Sequence, residues 1–352
     1  MSNFQLDGTK MQHHLEALLK WQRGETVYPI LLEVSPVTAC NHACTFCAYD
    51  WLHRDKTRLD PKRLCEVYDE LAPLGTKSIF YAGEGEPLLH KELPDVIEHA
   101  ARLGISQALN TNATALTGKT LARILPHLDY VRVSLNGVDA ADYAKVHVVR
   151  EEHYHMVLRH LEEAVAFKRR EGLATSIGVQ LVYLNQPVDA LYEHALRVKA
   201  LGVDYFSVKQ FNPHPRNPFK LDRPVPPADE FERLRALKDD GFHLHLRVGL
   251  VKPEEWKRPY KQCLSLPFFA EIQANGEVYA CGPHLGEKDF CYGSIYDTDF
   301  KTMWSKAGRA AVQNHVDGIE NLDHVCMPNC RLDQVNRFLW DLQNPPDHVN
   351  FI

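Results

Sequence analysis

From about residue 30 to 211 the chain alternates short apolar runs with helix-period segments, and this alternation restricts the fold more than any other feature. ILLEVSPV (31–38), KSIFYA (77–82), ISQALNT (105–111), YVRVSLN (130–136), SIGVQLVYL (176–184) and DYFSVKQF (204–211) read as strands. Helices are expected over 61–75, 93–104, 117–125, 152–172 and 188–202, with Pro61 in a first turn and Gly75 as a stop. Six β/α units with short connections imply a parallel sheet covered by helices. Such a sheet either closes toward a partial barrel or stays open and doubly wound, and periodicity does not choose between them. In both, chemistry collects at the C-terminal ends of the strands.

NPHPRNPFKLDRPVPPADEF (212–231) carries six prolines and cannot continue the repeat, so it reads as a linker or wrapping loop. FFAEIQANGEVYAC (268–281) places Asn275-Gly276 between two short apolar runs, the signal of a type I′ hairpin. Helices near 299–313 and 332–342 complete a small α+β module. No apolar run approaches the length of a membrane span. The N-terminal stretch lacks a signal-peptide pattern and reads as an amphipathic helix, so a cytoplasmic protein is expected. A net charge of −6 gives no reason to expect a broad nucleic-acid surface.

Nine cysteines in such a chain argue for metal or redox chemistry rather than a disulfide framework. Cys40, Cys44 and Cys47 lie on the loop that follows the first strand. Thiolates at spacings of four and three can converge on one soft metal centre. An iron–sulfur cluster of four irons normally takes four thiolates, so three would leave one iron open. Zinc, with His42 or a later cysteine as fourth ligand, is the competing reading.

The stretch Cys40-Asn41-His42-Ala43-Cys44-Thr45-Phe46-Cys47 resembles the CxxxCxxC signature of the radical S-adenosylmethionine (SAM) superfamily, with Phe46 as the aromatic residue before the third cysteine. AGEGEPLLH (82–90) resembles that family's GGEP motif, and Gly83, Glu84, Gly85 and Glu86 would line the SAM methionine. LNTNATAL (109–116) resembles its third-strand TNG segment, placing Asn112 near the cofactor, with Ala113 where the glycine stands. VRVSLNGVD (131–139) resembles its VSLDG segment, with Ser134 near the SAM ribose and Asn136 in place of the aspartate. The resemblance implies a [4Fe-4S] cluster on Cys40, Cys44 and Cys47, SAM on the open iron, and reductive cleavage to a 5′-deoxyadenosyl radical. It also implies an α/β fold built as a partial (β/α)6 TIM-like barrel.

Near the C-terminus, Cys263, twelve residues, Gly276, four residues and Cys281 resemble the opening of the SPASM and twitch modules of such enzymes. YGSIYDTDFKTMW (292–304) resembles the stretch that follows, and Cys326-Met-Pro-Asn-Cys330 would close the site. By this resemblance Cys263, Cys281, Cys326 and Cys330 hold one auxiliary [4Fe-4S] cluster; zinc or reduced core thiols are the alternatives. Cys291 is left over, an inert thiol or a catalytic hydrogen-atom donor, and Cys65 stands alone. The expected layout is a helical extension over 1–30, the barrel over 31–215, a linker and wrapping segment over 216–260, and the auxiliary-cluster domain over 261–352.

Arg150, Lys209, Gln210 and His214 fall at or beyond strand ends and are the candidate substrate residues. Basic residues there would suit an anionic group such as the phosphate of a sugar nucleotide. Tyr49 and Trp51 read as packing residues. The expected reaction is oxidation or epimerisation of a carbohydrate-like molecule, a nucleotide sugar or aminocyclitol, with reducing electrons from a donor such as flavodoxin or ferredoxin. A peptide-modifying maturase is the alternative, less favoured because few residues precede the first strand for a peptide-binding domain. A non-enzymatic zinc module is the third.

Overall fold

A computed structural model describes residues 8–52, 56–214, 216–221, 225–226, 228–248, 257–328 and 330–351. Part of the N-terminal extension and of the proline-rich and wrapping segments lies outside the described residues. Ten strands form one sheet: β1 (Leu31–Val34), β2 (Ser78–Tyr81), β3 (Ser106–Thr111), β4 (Tyr130–Ser134), β5 (Ser176–Tyr183), β6 (Tyr205–Gln210), β7 (His243–Arg247), β8 (Phe269–Ile272), β9 (Glu277–Tyr279) and β10 (Cys291–Ser294). Their order is β10-β9-β8-β1-β2-β3-β4-β5-β6-β7. Strands β1 to β7 run parallel in chain order, and the fold is the expected α/β partial barrel.

Each strand alternates faces, as the pleat requires. Leu32, Val34, Ile79, Tyr81, Leu109, Val131, Val133, Ile177, Val179, Leu181, Phe206 and Val208 point to the helices and build the main core. The alternate residues face the concave side, where Leu31, Phe80, Ala82, Ala108 and Tyr130 form a smaller apolar patch. The expected helices form over Pro61–Leu71, Leu93–Arg102, Gly118–Ile124, Glu152–Glu171 and Val188–Ala200. Asp60 caps the first of these by accepting from the Lys62 and Arg63 amides. An additional helix, Ala140–His147, follows β4 and is capped by Asp139.

The structure adds a seventh parallel strand to the six β/α units: HLHLR forms β7, with Tyr205 opposite His243 and Lys209 opposite Arg247. It departs from the sequence reading in two places. The β8–β9 turn is not type I′, because only Gly276 has positive φ (+86°) while Asn275 does not. There Gly276 N donates to Gln273 O at 2.9 Å, and the Asn275 side chain accepts from Glu277 N at 3.0 Å. The helix near 299–313 breaks into Phe300–Met303 and Lys306–Asp317, because Ser305 starts the second piece by accepting from Gly308 N.

The C-terminal hairpin adds to the barrel edge: β8 pairs in parallel with β1, Leu31 opposite Phe269 and Val34 opposite Ile272. Behind it, the helix Pro61–Leu71 receives the module. Arg63 Nε donates to Ile295 O at 2.7 Å, and Glu70 accepts from Phe300 N at 2.7 Å. Trp304 is fully buried, packs on Phe300 and Tyr292, and donates from Nε1 to Val27 O at 2.8 Å. Trp304→Ala should therefore lower stability by about 3–5 kcal/mol. Trp304→Phe, which loses the hydrogen bond and part of the ring, should lose less. Urea unfolding monitored by circular dichroism reads both, and equal losses would contradict the packing assignment.

Candidate active site and cysteine centres

The loop after β1 is held by backbone contacts at both ends of the cysteine triplet. Ala43 N donates to His147 O at 3.1 Å, Thr45 N to Val146 O at 3.0 Å, and Glu86 N to Ala39 O at 2.9 Å. Asn41 is fixed between Thr114 and Asn112 by two bonds of 2.7 Å. Cys40, Cys44 and Cys47 line one cavity of about 270 Å³, together with Phe46, Gly83, Glu84, Gly85, Glu86, Asn112, Ser134 and Asn136. Every residue expected near the cofactor thus reaches the same space.

The glycines of the Gly-Glu-Gly-Glu-Pro turn have a steric reason. A Cβ on Gly85 would lie 2.3 Å from Val37 O and 2.4 Å from Ala39 O, and one on Gly83 would meet Ser35 at 2.7 Å. Gly83 also has φ of +107°. They let the turn lie directly against the start of the cysteine loop. Glu86 is buried and already occupied: it accepts from Thr111 Oγ1 (2.5 Å), Asn112 N (2.7 Å) and Leu88 N (3.1 Å). Ala113 takes φ of +59°, the conformation for which glycine is the natural residue.

Sequence reasoning missed His147, which the helix after β4 brings to the cysteine loop from 103 residues away. Its Nδ1 lies 3.1 Å from Cys44 Sγ and 3.2 Å from His42 Nδ1. Among the described residues His42, Cys44 and His147 form the one group of three close enough to suggest a metal ion. The hydrogen bonds oppose zinc there. Asn136 N donates to His147 Nε2 at 3.2 Å, so Nε2 is the acceptor. Burial holds both imidazoles neutral, with His42 pushed down to about 4 and His147 also lowered. A neutral His147 that accepts at Nε2 carries its proton on Nδ1, which faces both Cys44 Sγ and His42 Nδ1.

The sulfurs of Cys263, Cys281, Cys326 and Cys330 lie near enough for their charges to act on one another. Burial raises the Cys281 thiol well above its ordinary value, and the nearby Cys330, Cys263 and Cys326 add to the effect. Cys326 is pushed up to about 11 by burial and Cys263, and Cys330 to about 12 by burial and the Cys263 and Cys326 sulfurs. Cys291 is outside this set and outside the cavity lining: it lies on β10, its thiol 3.7 Å from Gly293 O. Cys65 sits on the helix behind the sheet, its thiol raised to about 11 by burial.

Of the substrate candidates, Lys209 and Gln210 line the cavity. Arg150 does not; its side chain is 83% exposed and lies 3.9 Å from Glu152 on the surface. His214 stacks on Trp51 and bonds Pro283 O at 3.2 Å, which makes it a packing residue. Tyr49 and Trp51 pack against the C-terminal module, as read from sequence, although Tyr49 also reaches the cavity.

Residues 34–179 match the family model of the Radical SAM superfamily. A GTP 3′,8-cyclase of Corynebacterium glutamicum (strain R) is 33% identical over 145 residues, 38% of this chain and 38% of that protein. The chain therefore spans well under half the length of that relative. A PqqA peptide cyclase of Bradyrhizobium diazoefficiens is 24% identical over 282 residues, covering 78% of this chain and 70% of the relative. Among solved structures, Streptococcus suis SuiB bound to the precursor peptide SuiA superimposes with a TM-score of 0.67 at 16% identity, over 92% of this chain and 75% of that one. Native anSMEcpe with bound AdoMet gives 0.58 at 14% identity, over 87% and 88%. These two likenesses establish the fold.

Gly85→Ala tests the steric contact in the cofactor turn. It should lower stability by about 1–3 kcal/mol and, after reconstitution, deplete iron from the first cysteine set more than from the second. Iron analysis of the variant with and without Cys263→Ala separates the two sets.

Proposed function

On the premise that residues 34–179 form a radical SAM domain, we propose that this chain modifies a peptide by hydrogen-atom abstraction. The domain's cofactors are a [4Fe-4S] cluster and SAM; when bound, they supply a 5′-deoxyadenosyl radical. Cys40, Cys44 and Cys47 fit the thiolate donors of that cluster, with His147 beside Cys44. Cys263, Cys281, Cys326 and Cys330 fit a second cluster.

The chain's own residues do the rest. Gly83 and Gly85 press the cofactor turn onto the cysteine loop. Glu86 and Asn112 fix the end of β3 beside it. Asn136 ties β5 to His147, accepting from Val182 N at 2.8 Å and donating from its own amide. Phe46, Val182 and Phe211 supply apolar wall that limits water around a reactive radical.

A peptide substrate is favoured over the carbohydrate expected from sequence. The observation that carries this is the PqqA peptide cyclase match, which covers 78% of this chain. The GTP 3′,8-cyclase relative is matched over only 38% of it. A low-potential flavodoxin or ferredoxin remains the proposed electron source.

Reconstituted protein should bind about eight irons per chain, two clusters of four, and release 5′-deoxyadenosine. Cys44→Ala should abolish that release. Cys326→Ala should lower the iron content by about half while leaving SAM cleavage measurable and product formation lost. Peptide, nucleotide-sugar and aminocyclitol panels, read by substrate-dependent 5′-deoxyadenosine, decide the substrate class. Stimulation by the sugars alone would overturn the peptide reading.

A further inference from the structure

The concave face of the barrel carries more positive charge than its own acids answer. Arg331 is paired with Glu33. Glu86 is saturated by Thr111, Asn112 and Leu88. Glu84 accepts from Ala274 N on the β8 side of the cavity. Opposite these, Arg132, Lys209 and Arg247 project from β4, β6 and β7 onto the same face. Lys209 and Arg247 are paired across neighbouring strands. Arg132 donates to the neutral Asn110 at 3.0 Å and lies over the Phe80 ring.

Among the described residues, the side chain of neither Lys209 nor Arg247 makes a hydrogen bond or ion pair. Lys209 nevertheless lines the cavity that holds the cysteine triplet. Its ammonium is pushed down to about 8 by lost hydration and by the charges of Arg247 and Arg132, so the three groups sense one another. At neutral pH it stays mostly charged. Like charges held around the half-buried Lys209 are unfavourable unless an anion joins them.

We propose that Lys209, Arg247 and Arg132 form an anion subsite that holds a carboxylate or phosphate group of the substrate. This deepens the peptide reading and rests on it for the source of the anion: an acidic side chain of the peptide. Lysine and arginine side by side suit an oxyanion, since arginine presents two parallel donors and lysine a point charge. Lys209 brings the subsite to the cavity that the cysteine loop also lines, with Arg247 beside it on the next strand, so an anchored acidic group would leave neighbouring atoms of the substrate in that cavity.

The test is calorimetric titration of the reconstituted protein with three probes: N-acetyl-glutamyl amide, its neutral isostere N-acetyl-glutaminyl amide, and orthophosphate. Wild type should bind an anion saturably and the glutaminyl amide at least tenfold more weakly. Preference for the glutamyl probe points to a carboxylate, and preference for orthophosphate to a phosphorylated substrate. Lys209→Met and Arg247→Met should each weaken anion binding roughly 10-fold or more, as loss of a charged hydrogen bond implies. Lys209→Arg should restore most of it. The thermal midpoint of ligand-free Lys209→Met should equal or exceed wild type, because the variant removes an unanswered charge.

Absence of anion binding, equal binding of the glutaminyl amide, unchanged binding in both methionine variants, or a lowered midpoint in Lys209→Met would each overturn the subsite. So would loss of SAM binding in step with the anions, since the cations would then serve the cofactor. Anion binding without 5′-deoxyadenosine release from wild type would sink the proposed reaction while leaving the subsite standing.

Discussion

The parallel pairing of β8 with β1 is the contact on which both sulfur centres depend. It covers the open edge of the barrel, which would otherwise leave β1 with unpaired backbone groups. It also sets distances. The cysteine loop leaves β1 at its C-terminal end, and Cys281, which follows β9, packs in the same apolar cluster as Tyr49 and Trp51 of that loop. Tyr49, Trp51 and Leu52 from that loop consequently pack with Leu266, Tyr279 and Leu285 of the C-terminal module. The two halves share one apolar seam, and the cysteine loop is folded against it rather than hanging over the barrel mouth.

The seam also contains a buried acid. Glu271 on β8 is fully enclosed, and its carboxyl is pushed up to about 8 by burial and by Glu84, so it keeps its proton at neutral pH. Its charge would act on both Tyr49 and Cys281. Neutrality at Glu271 therefore lets Glu84 remain the acid that faces the cavity, where two adjacent carboxylates could not both ionise.

Much of this was legible in the sequence because it is local. Strand and helix periods located six β/α units, and strand-end logic found Lys209 and Gln210. The cysteine spacings picked both sulfur sets before any contact was known. What escaped was non-local or went against local preference. HLHLR alternates as a strand does, but its place in the barrel depends on the edge that β6 offers. Asn275-Gly276 suggests a two-residue turn, but the asparagine side chain bonds Glu277 N and stabilises another geometry. Ala113 holds a glycine conformation because its amide bonds Thr111 Oγ1 and its carbonyl accepts from His160. His147 has no motif of its own; only the helix Ala140–His147 brings it to Cys44. Arg150 failed for the converse reason. It is near a strand end in sequence, but it precedes the long helix on the outside of the barrel.

The charges divide the cavity into two walls. Near β1, β2 and β8 lie the cysteine loop, Glu84 and Glu86, a side that suits a cationic ligand once the thiols are ionised. On the other side Lys209 lines the cavity, with Arg247 beside it on β7 and Arg132 on the same face of β4. On the proposed function, the ammonium and sulfonium charges of SAM would match the first wall and an anionic substrate the second, so the two ligands would be sorted to opposite sides of one cavity by charge. The division comes from strand order: acids and thiols belong to the strands beside the C-terminal hairpin, and unanswered cations to those at the far edge. A barrel closed by six strands alone would lack Arg247, and with it one of the three charges that define the second wall.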